Sequence, residues 1–237
     1  MRIVKNVIKK EIILLIGLFF CVSVSSLAQS TYQIGVLPSF TLTKKINPKW
    51  KVNLNIQSRF SMYKGEFSNS DTFQEDRNYI LTDISALANR KIGLNTSLTV
   101  GYLTRFRNKE QHNRLFQQFI ISNKYNAVGL AHRFVTDQTF RPNQKTEFRG
   151  RYRLAFDRPL QGNKLNPKEF YLKVNNEYLV SLQDKKWSNE VRLIPFLGYA
   201  FTDKNKVEIG IDYRVGSVGD EFLRNNFWTT INYYLSW

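Results

Sequence analysis

The stretch Ile92–Arg107, IGLNTSLTVGYLTRFR, decides the fold. Ile92, Leu94, Leu98, Val100, Tyr102 and Phe106 recur at even spacing, while Asn95, Ser97, Thr99, Arg105 and Arg107 take the odd positions. A period of two is the signature of a β-strand, whose successive side chains point to opposite faces. One face of this strand is therefore hydrocarbon-like and the other wet. Strands of soluble proteins usually run about five or six residues. A strand tilted by about 45° needs about nine to eleven residues to cross the apolar part of a bilayer, and this run is long enough.

The same sorting repeats along the chain. Trp50, Val52, Leu54, Ile56, Phe60 and Met62 oppose Lys51, Asn53, Asn55, Gln57 and Arg59. Phe148, Tyr152, Leu154 and Phe156 oppose Arg149, Arg151 and Arg153, and Val207, Ile209, Ile211, Tyr213 and Val215 oppose Glu208, Asp212 and Arg214. Eleven runs qualify as strands, near 31–43, 50–63, 77–88, 92–107, 113–125, 128–140, 145–157, 168–182, 189–202, 206–217 and 225–237. Polar connections such as Asn47-Pro48, Asn89-Arg90-Lys91 and Asp203-Lys204-Asn205-Lys206 carry turn chemistry and predict antiparallel hairpins. The expected fold is all-β, a transmembrane antiparallel up-and-down β-barrel of ten to twelve strands. Such barrels normally have an even strand count, so eleven implies that one run does not span, with the Pro38 run the first suspect, or that a strand has been missed. Short connections at 44–49, 89–91, 126–127 and 203–205 read as periplasmic turns, and 64–76, 108–112, 141–144, 183–188 and 218–224 as outer loops. The 158–167 connection is too long for that scheme. Trp50, Phe106, Tyr125, Phe156, Phe201 and Trp237 fall near strand ends, as an interfacial aromatic girdle requires.

The N-terminus places Arg2, Lys5, Lys9 and Lys10 before the apolar segment Ile12–Val24 and the small-residue site Ser26-Leu27-Ala28. This order predicts a secretory signal peptide over residues 1–28 and a single barrel domain over 29–237. Cys21, the sole cysteine, lies inside that segment, so the exported chain is expected to lack disulfides, thiolate nucleophiles and cysteine metal sites. The whole chain carries 35 basic and 19 acidic residues, and loss of residues 1–28 leaves 31 and 18, a net charge of +13. An exported basic chain meets anionic lipid head groups, lipopolysaccharide or anionic solutes rather than nucleic acid. The expected address is the outer membrane of a Gram-negative cell.

Two histidines narrow the enzymatic options. The one catalytic arrangement to consider pairs His132 with Ser122 on the preceding strand, in the manner of a lipase, with His112 in an outer loop. No local motif supports it, and no catalytic residue is assigned. Asp71, Glu75 and Asp76 could contact a divalent cation, but such sites need several converging oxygens, and neither metal nor other cofactor is expected. The row Arg149, Arg151, Arg153 places three guanidiniums on one lumen face about 7 Å apart. It reads either as an anion-selective lining or as one side of an ion-pair lattice with counter-charges at Glu177, Glu190, Glu208 and Asp212.

Tyr233, Leu235 and Trp237 share a face at the C-terminus and resemble the terminal-strand signal read by the barrel assembly machinery. The repeated units FTLTKKINPKWKVNLNIQSRF, LTDISALANRKIGLNTSLTVGYLTRFR and LGYAFTDKNKVEIGIDYRV, with a leader ending SSLAQS, resemble the DUF2490 family of outer-membrane proteins from Bacteroidetes-type bacteria. The resemblance implies a barrel and no known activity. The expected function is a small channel or a structural or binding component of the envelope, with a basic lumen and a small anionic solute as the ligand class. The alternatives are a lipid-modifying enzyme of lipase or deacylase type, and a soluble periplasmic β-sandwich that binds an anion and uses the apolar faces as its core.

Overall fold

The computed structural model describes residues 30–67, 69–218 and 222–237, and side chains throughout these except 69–72. The predicted signal peptide, its cleavage site and Cys21 lie outside the described residues. Eleven strands follow one another: β1 (Thr31–Lys45), β2 (Trp50–Glu66), β3 (Asn69–Lys91), β4 (Thr96–Arg107), β5 (Glu110–Tyr125), β6 (Val128–Phe140), β7 (Glu147–Pro159), β8 (Glu169–Gln183), β9 (Lys186–Ala200), β10 (Asn205–Gly216) and β11 (Arg224–Ser236). Each pairs with its chain neighbours and β1 closes on β11, making one barrel with no free edge. No helix occurs among the described residues.

Eleven is the count among the described residues, and the geometry resolves the parity problem directly. Alternating strands of an odd number bring the first and last into the same direction, so the closing pair must be parallel. Thr31 is matched with Arg224 and Thr43 with Ser236 in that sense, while all other neighbours are antiparallel. The expectation of a purely antiparallel barrel is corrected at this one seam. The Pro38 run is a full strand. Proline has no N–H to donate, and the β1–β2 ladder accordingly passes from Val36↔Phe60 to Ser39↔Gln57 without partners for Leu37 and Pro38. Pairing of Pro38 with Ile231 on β11 continues unbroken.

Alternation decides which side chains meet the interior. On β4, Leu98, Val100, Tyr102 and Phe106 lie exposed on the outside, whereas Thr99 is buried. On β10, Ile209 and Ile211 are 54% and 55% exposed, while Glu208 and Asp212 on the opposite face are 3% and 5% exposed. The outer wall is apolar and the interior carries the charges, the reverse of a soluble protein's core. Apolar faces packed into the core of a two-sheet sandwich do not form.

Four connections differ from the sequence reading, and of these the loops expected at 108–112 and 183–188 shrink to the two-residue turns Asn108-Lys109 and Asp184-Lys185, which places His112 on β5. The β3–β4 turn is Ile92–Asn95 rather than 89–91, because Ile92 and Gly93 N–H groups both donate to the Thr96 carbonyl. Ile92 and Leu94 therefore sit in the turn, and Leu94 is 91% exposed. The predicted loop 64–76 is mostly strand, since β2 and β3 continue as a long hairpin whose ladder runs out to Glu66↔Asn69. Tyr63 stacks on Phe73 at 4.8 Å and Tyr32 meets Phe67 at 5.0 Å, an aromatic cluster that supports the extension. At the same end as this hairpin, the turns Asn108-Lys109 and Asp184-Lys185 hold both residues at positive φ, the primed geometry that matches strand twist in two-residue hairpins.

Candidate functional site

The pairing register builds the site. Arg133 of β6, Arg153 of β7, Glu177 of β8, Arg192 of β9 and Arg214 of β10 are consecutive cross-strand partners on the lumen face. Adjacent strands lie about 4.8 Å apart. Four guanidiniums thus share one row with a single carboxylate. Like charges directly opposite one another destabilise a ladder, so the row depends on what neutralises it.

Glu177 supplies most of that neutralisation. It is fully buried and lies 2.6 Å from Arg153, 2.9 Å from Arg192 and 3.6 Å from Arg151. Of the remaining row, Arg214 forms a two-pronged pair with Asp212 at 2.6 and 2.9 Å. Arg133 has no carboxylate in ion-pair range among the described residues.

Beside the row, Asp137 plays the same part as Glu177. Arg149 grips it with both prongs at 2.7 and 2.9 Å, and Arg114 and Arg151 each lie 3.5 Å away. Arg105 pairs in like manner with Asp83, both contacts being 2.7 Å. Arg59 stands apart, its guanidinium 4.9 Å above the Trp228 ring, with a buried Nε that has no hydrogen-bond partner. The Nε of Arg151 is equally unsatisfied.

These residues surround one chamber of about 320 Å³ in mid-barrel, lined by nine arginines and four carboxylates. Counting Asp212 as a fifth carboxylate still leaves four positive charges in excess. Wider cavities of about 720 Å³ and 430 Å³ lie at the Ser30 end and the Trp237 end. The chamber shares Arg149, Glu190 and Arg192 with the first of them. Four lumenal rings narrow the bore: Trp228, Phe116, Tyr171 and Phe196 lie against Gly35, Gly101, Gly198 and Gly210, where any Cβ would fall within 2.7 Å of the ring.

The predicted residues divide accordingly. Arg149, Arg151 and Arg153 all line the chamber, and of the four named carboxylates Glu177 alone contacts this row. Glu190 pairs with Arg192. Glu208 lies toward the Trp237 end, held by Lys173 at 2.9 Å and by the hydroxyls of Tyr171 and Tyr234 at 2.9 and 3.0 Å. Asp137, the main partner of Arg149, was missed, as was the alignment of Arg133 and Arg192 with Arg153. Their odd or even positions were readable, but the register that brings them level was not.

The candidate catalytic pair is not assembled. Ser122 is matched with Ala131 on the lumen face, whereas His132 lies outside, its Nδ1 2.9 Å from the Tyr152 hydroxyl. His112 is buried with its Nε2 3.0 Å from Glu110. Asp76 accepts from Ser61 and Asn78, and Glu75 pairs with Arg77, so neither carboxylate is left for a cation; the side chain of Asp71 lies outside the described residues. At the C-terminus Tyr233 stacks on Phe40 at 5.8 Å on the outer wall, Leu235 is level with Leu42, and the Trp237 N–H donates to the Thr43 carbonyl at 3.0 Å.

A family model described as a protein of unknown function, DUF2490, matches residues 34–235. No curated protein and no solved structure matches the chain.

Proposed function

We propose, for a chain that belongs to the DUF2490 family of unknown function, that it is an integral outer-membrane barrel whose arginine-lined lumen admits anions. The observation that carries this reading is the inverted polarity, apolar side chains outside on every strand pair and charges within. A water-facing wall of that composition would be an aggregation surface; in lipid it is the stable arrangement, because closure leaves no unpaired backbone at the edge.

The dimensions agree with that setting. At about 3.3 Å per residue and a tilt of about 40°, the 12 residues of β4 rise about 30 Å, the thickness of a bilayer's hydrocarbon core. Near the Trp237 end, Arg90 lies 5.6 Å over the Trp50 ring and Lys44 5.9 Å over Trp237. Aromatic rings and basic groups together suit the head-group layer, where lipid and lipopolysaccharide phosphates are the partners. In this reading residues 1–28 direct export, Tyr233, Leu235 and Trp237 guide the assembly machinery, and the Trp237 end faces the periplasm. The excess of lumenal arginine concentrates anions and repels cations.

Fractionation of expressing cells followed by reconstitution in planar bilayers tests the proposal. The expected result is a protein that resists carbonate extraction and gives anion-selective current. Release by osmotic shock would overturn the membrane assignment, and cation-selective current would overturn the role given to the lumen.

A further inference from the structure

The chamber's charge does not close on itself, and its unsatisfied groups line one cavity. Arg59 on β2, Arg133 on β6 and Arg151 on β7 enter one cavity from two sides of the barrel. Neither Arg133 nor Arg59 has a carboxylate in ion-pair range among the described residues, and Arg59 packs on the Trp228 ring. The Nε atoms of Arg59 and Arg151 are buried without acceptors. A buried N–H of a charged group left unpaired is costly. Chloride accepts from every direction but offsets a single charge of the four in excess.

From these observations we infer that the chamber is a binding site for a phosphate-class oxyanion, held between Arg59, Arg133 and Arg151. A planar carboxylate presents two oxygens in one plane. A tetrahedral phosphate presents oxygens in several directions and carries up to two charges, so it offsets about half of the four-charge excess. Guanidinium forks bind such groups in pairs of parallel hydrogen bonds. The volume of about 320 Å³ corresponds to about ten waters at roughly 30 Å³ each, so a phosphate group fits with several waters, or a small phosphate ester without them. The shared lining of Arg149, Glu190 and Arg192 makes the Ser30 end the entry side.

This inference rests on the reading that the lumen admits anions, and the test separates the two. Thermal unfolding of the purified barrel in detergent is followed with inorganic phosphate, with a phosphate monoester such as glycerol phosphate, and with chloride at matched ionic strength. Bilayer current in chloride is recorded in parallel with and without phosphate. The site predicts a saturable rise in the unfolding midpoint with phosphate that chloride does not give, and a phosphate-dependent block of the current. Stronger stabilisation by the ester assigns a phosphorylated solute, and stronger stabilisation by phosphate assigns the free ion. Arg59→Gln and Arg133→Gln should each weaken phosphate at least tenfold, whereas Arg224→Gln, in the outer vestibule, should not. Anion-selective current with no preference for phosphate over chloride in a folded barrel would overturn the site and leave the anion passage standing. Cation-selective current would overturn both.

Discussion

Glu177→Gln isolates the electrostatic keystone of the lumen. The substitution keeps shape and removes one charge from a fully buried side chain that lies 2.6 and 2.9 Å from two guanidiniums and 3.6 Å from a third. Charge-assisted hydrogen bonds are worth about 1.5–3 kcal/mol each, and the glutamine carbonyl retains one neutral bond worth about 1 kcal/mol. Glu177 accepts one charge-assisted bond, from Arg153, and its loss less that remainder comes to about 0.5–2 kcal/mol; Arg192 and Arg151, which meet Oε1 as ion pairs without a hydrogen bond, are left beside a neutral group as well. Removing one partner of a buried ion pair costs about 3–5 kcal/mol in all. We expect about 3 kcal/mol in chloride buffer. Urea unfolding of the refolded barrel, read by tryptophan fluorescence, should show a lower midpoint with an unchanged slope, since the surface exposed on unfolding is the same. Phosphate should restore more stability to the variant than it adds to the parent, because the row now has one more uncompensated positive charge. A loss below about 1 kcal/mol, the range of solvent-exposed pairs, would mean that water already neutralises these arginines and would refute the argument from burial.

Tyr102→Arg places a charge on the outer wall midway along β4 and should reduce the membrane-assembled yield at a cost of about 2–4 kcal/mol, whereas Leu98→Arg, near the turn end of the strand, should cost about 0–1 kcal/mol; an unchanged yield for Tyr102→Arg would contradict the facing of β4. Gly198→Ala drives a Cβ to 2.2 Å from the Tyr171 ring, so Tyr171 must shift from its bond to Glu208, and urea unfolding should register a loss of about 1–3 kcal/mol. The parallel seam places Thr31 at the end of Lys109 and opposite Lys204. Cysteines at 31 and 109 should therefore react together with an impermeant maleimide on intact cells while one at 204 is protected, and grouping of 31 with 204 would refute the odd count. His132→Ala and His112→Ala should leave the acyl composition of membrane lipid unchanged relative to the parent protein; a histidine-dependent difference would restore the enzymatic alternative.

Most of the wall was legible because a period of two is a local property. The positions of β7 and β10, the outward face of β4 and the inward aim of Arg149, Arg151 and Arg153 follow from alternation alone. Closure was not local. The parallel β1–β11 pair follows from counting every strand, and a general preference for even numbers argued against the count that the chain itself displayed. The turn at Ile92–Asn95 was misplaced because polar Asn89-Arg90-Lys91 looks more like a turn than apolar Ile92 and Leu94 do. Partner choice was the least legible part. Arg149 meets Asp137 and Arg153 meets Glu177 through registers between strands, which alternation leaves free. The same freedom hid the level row from Arg133 to Arg214. Lumenal Trp228, Phe116, Tyr171 and Phe196 were obscured by the expectation that aromatics belong at strand ends, although the glycines facing them mark where a ring must fit.

Site-directed spin labelling along β4 tests the central claim most directly. Cys21 is the sole cysteine of the chain and precedes β1, so single labels can replace Leu98, Thr99 and Val100 in an otherwise cysteine-free barrel reconstituted in lipid. Labels at 98 and 100 should collide freely with oxygen dissolved in the acyl chains and be shielded from a water-soluble nickel complex. The label at 99 should be shielded from oxygen. The opposite phase, with 98 and 100 sequestered and 99 in contact with lipid, would contradict the inverted wall on which the account stands.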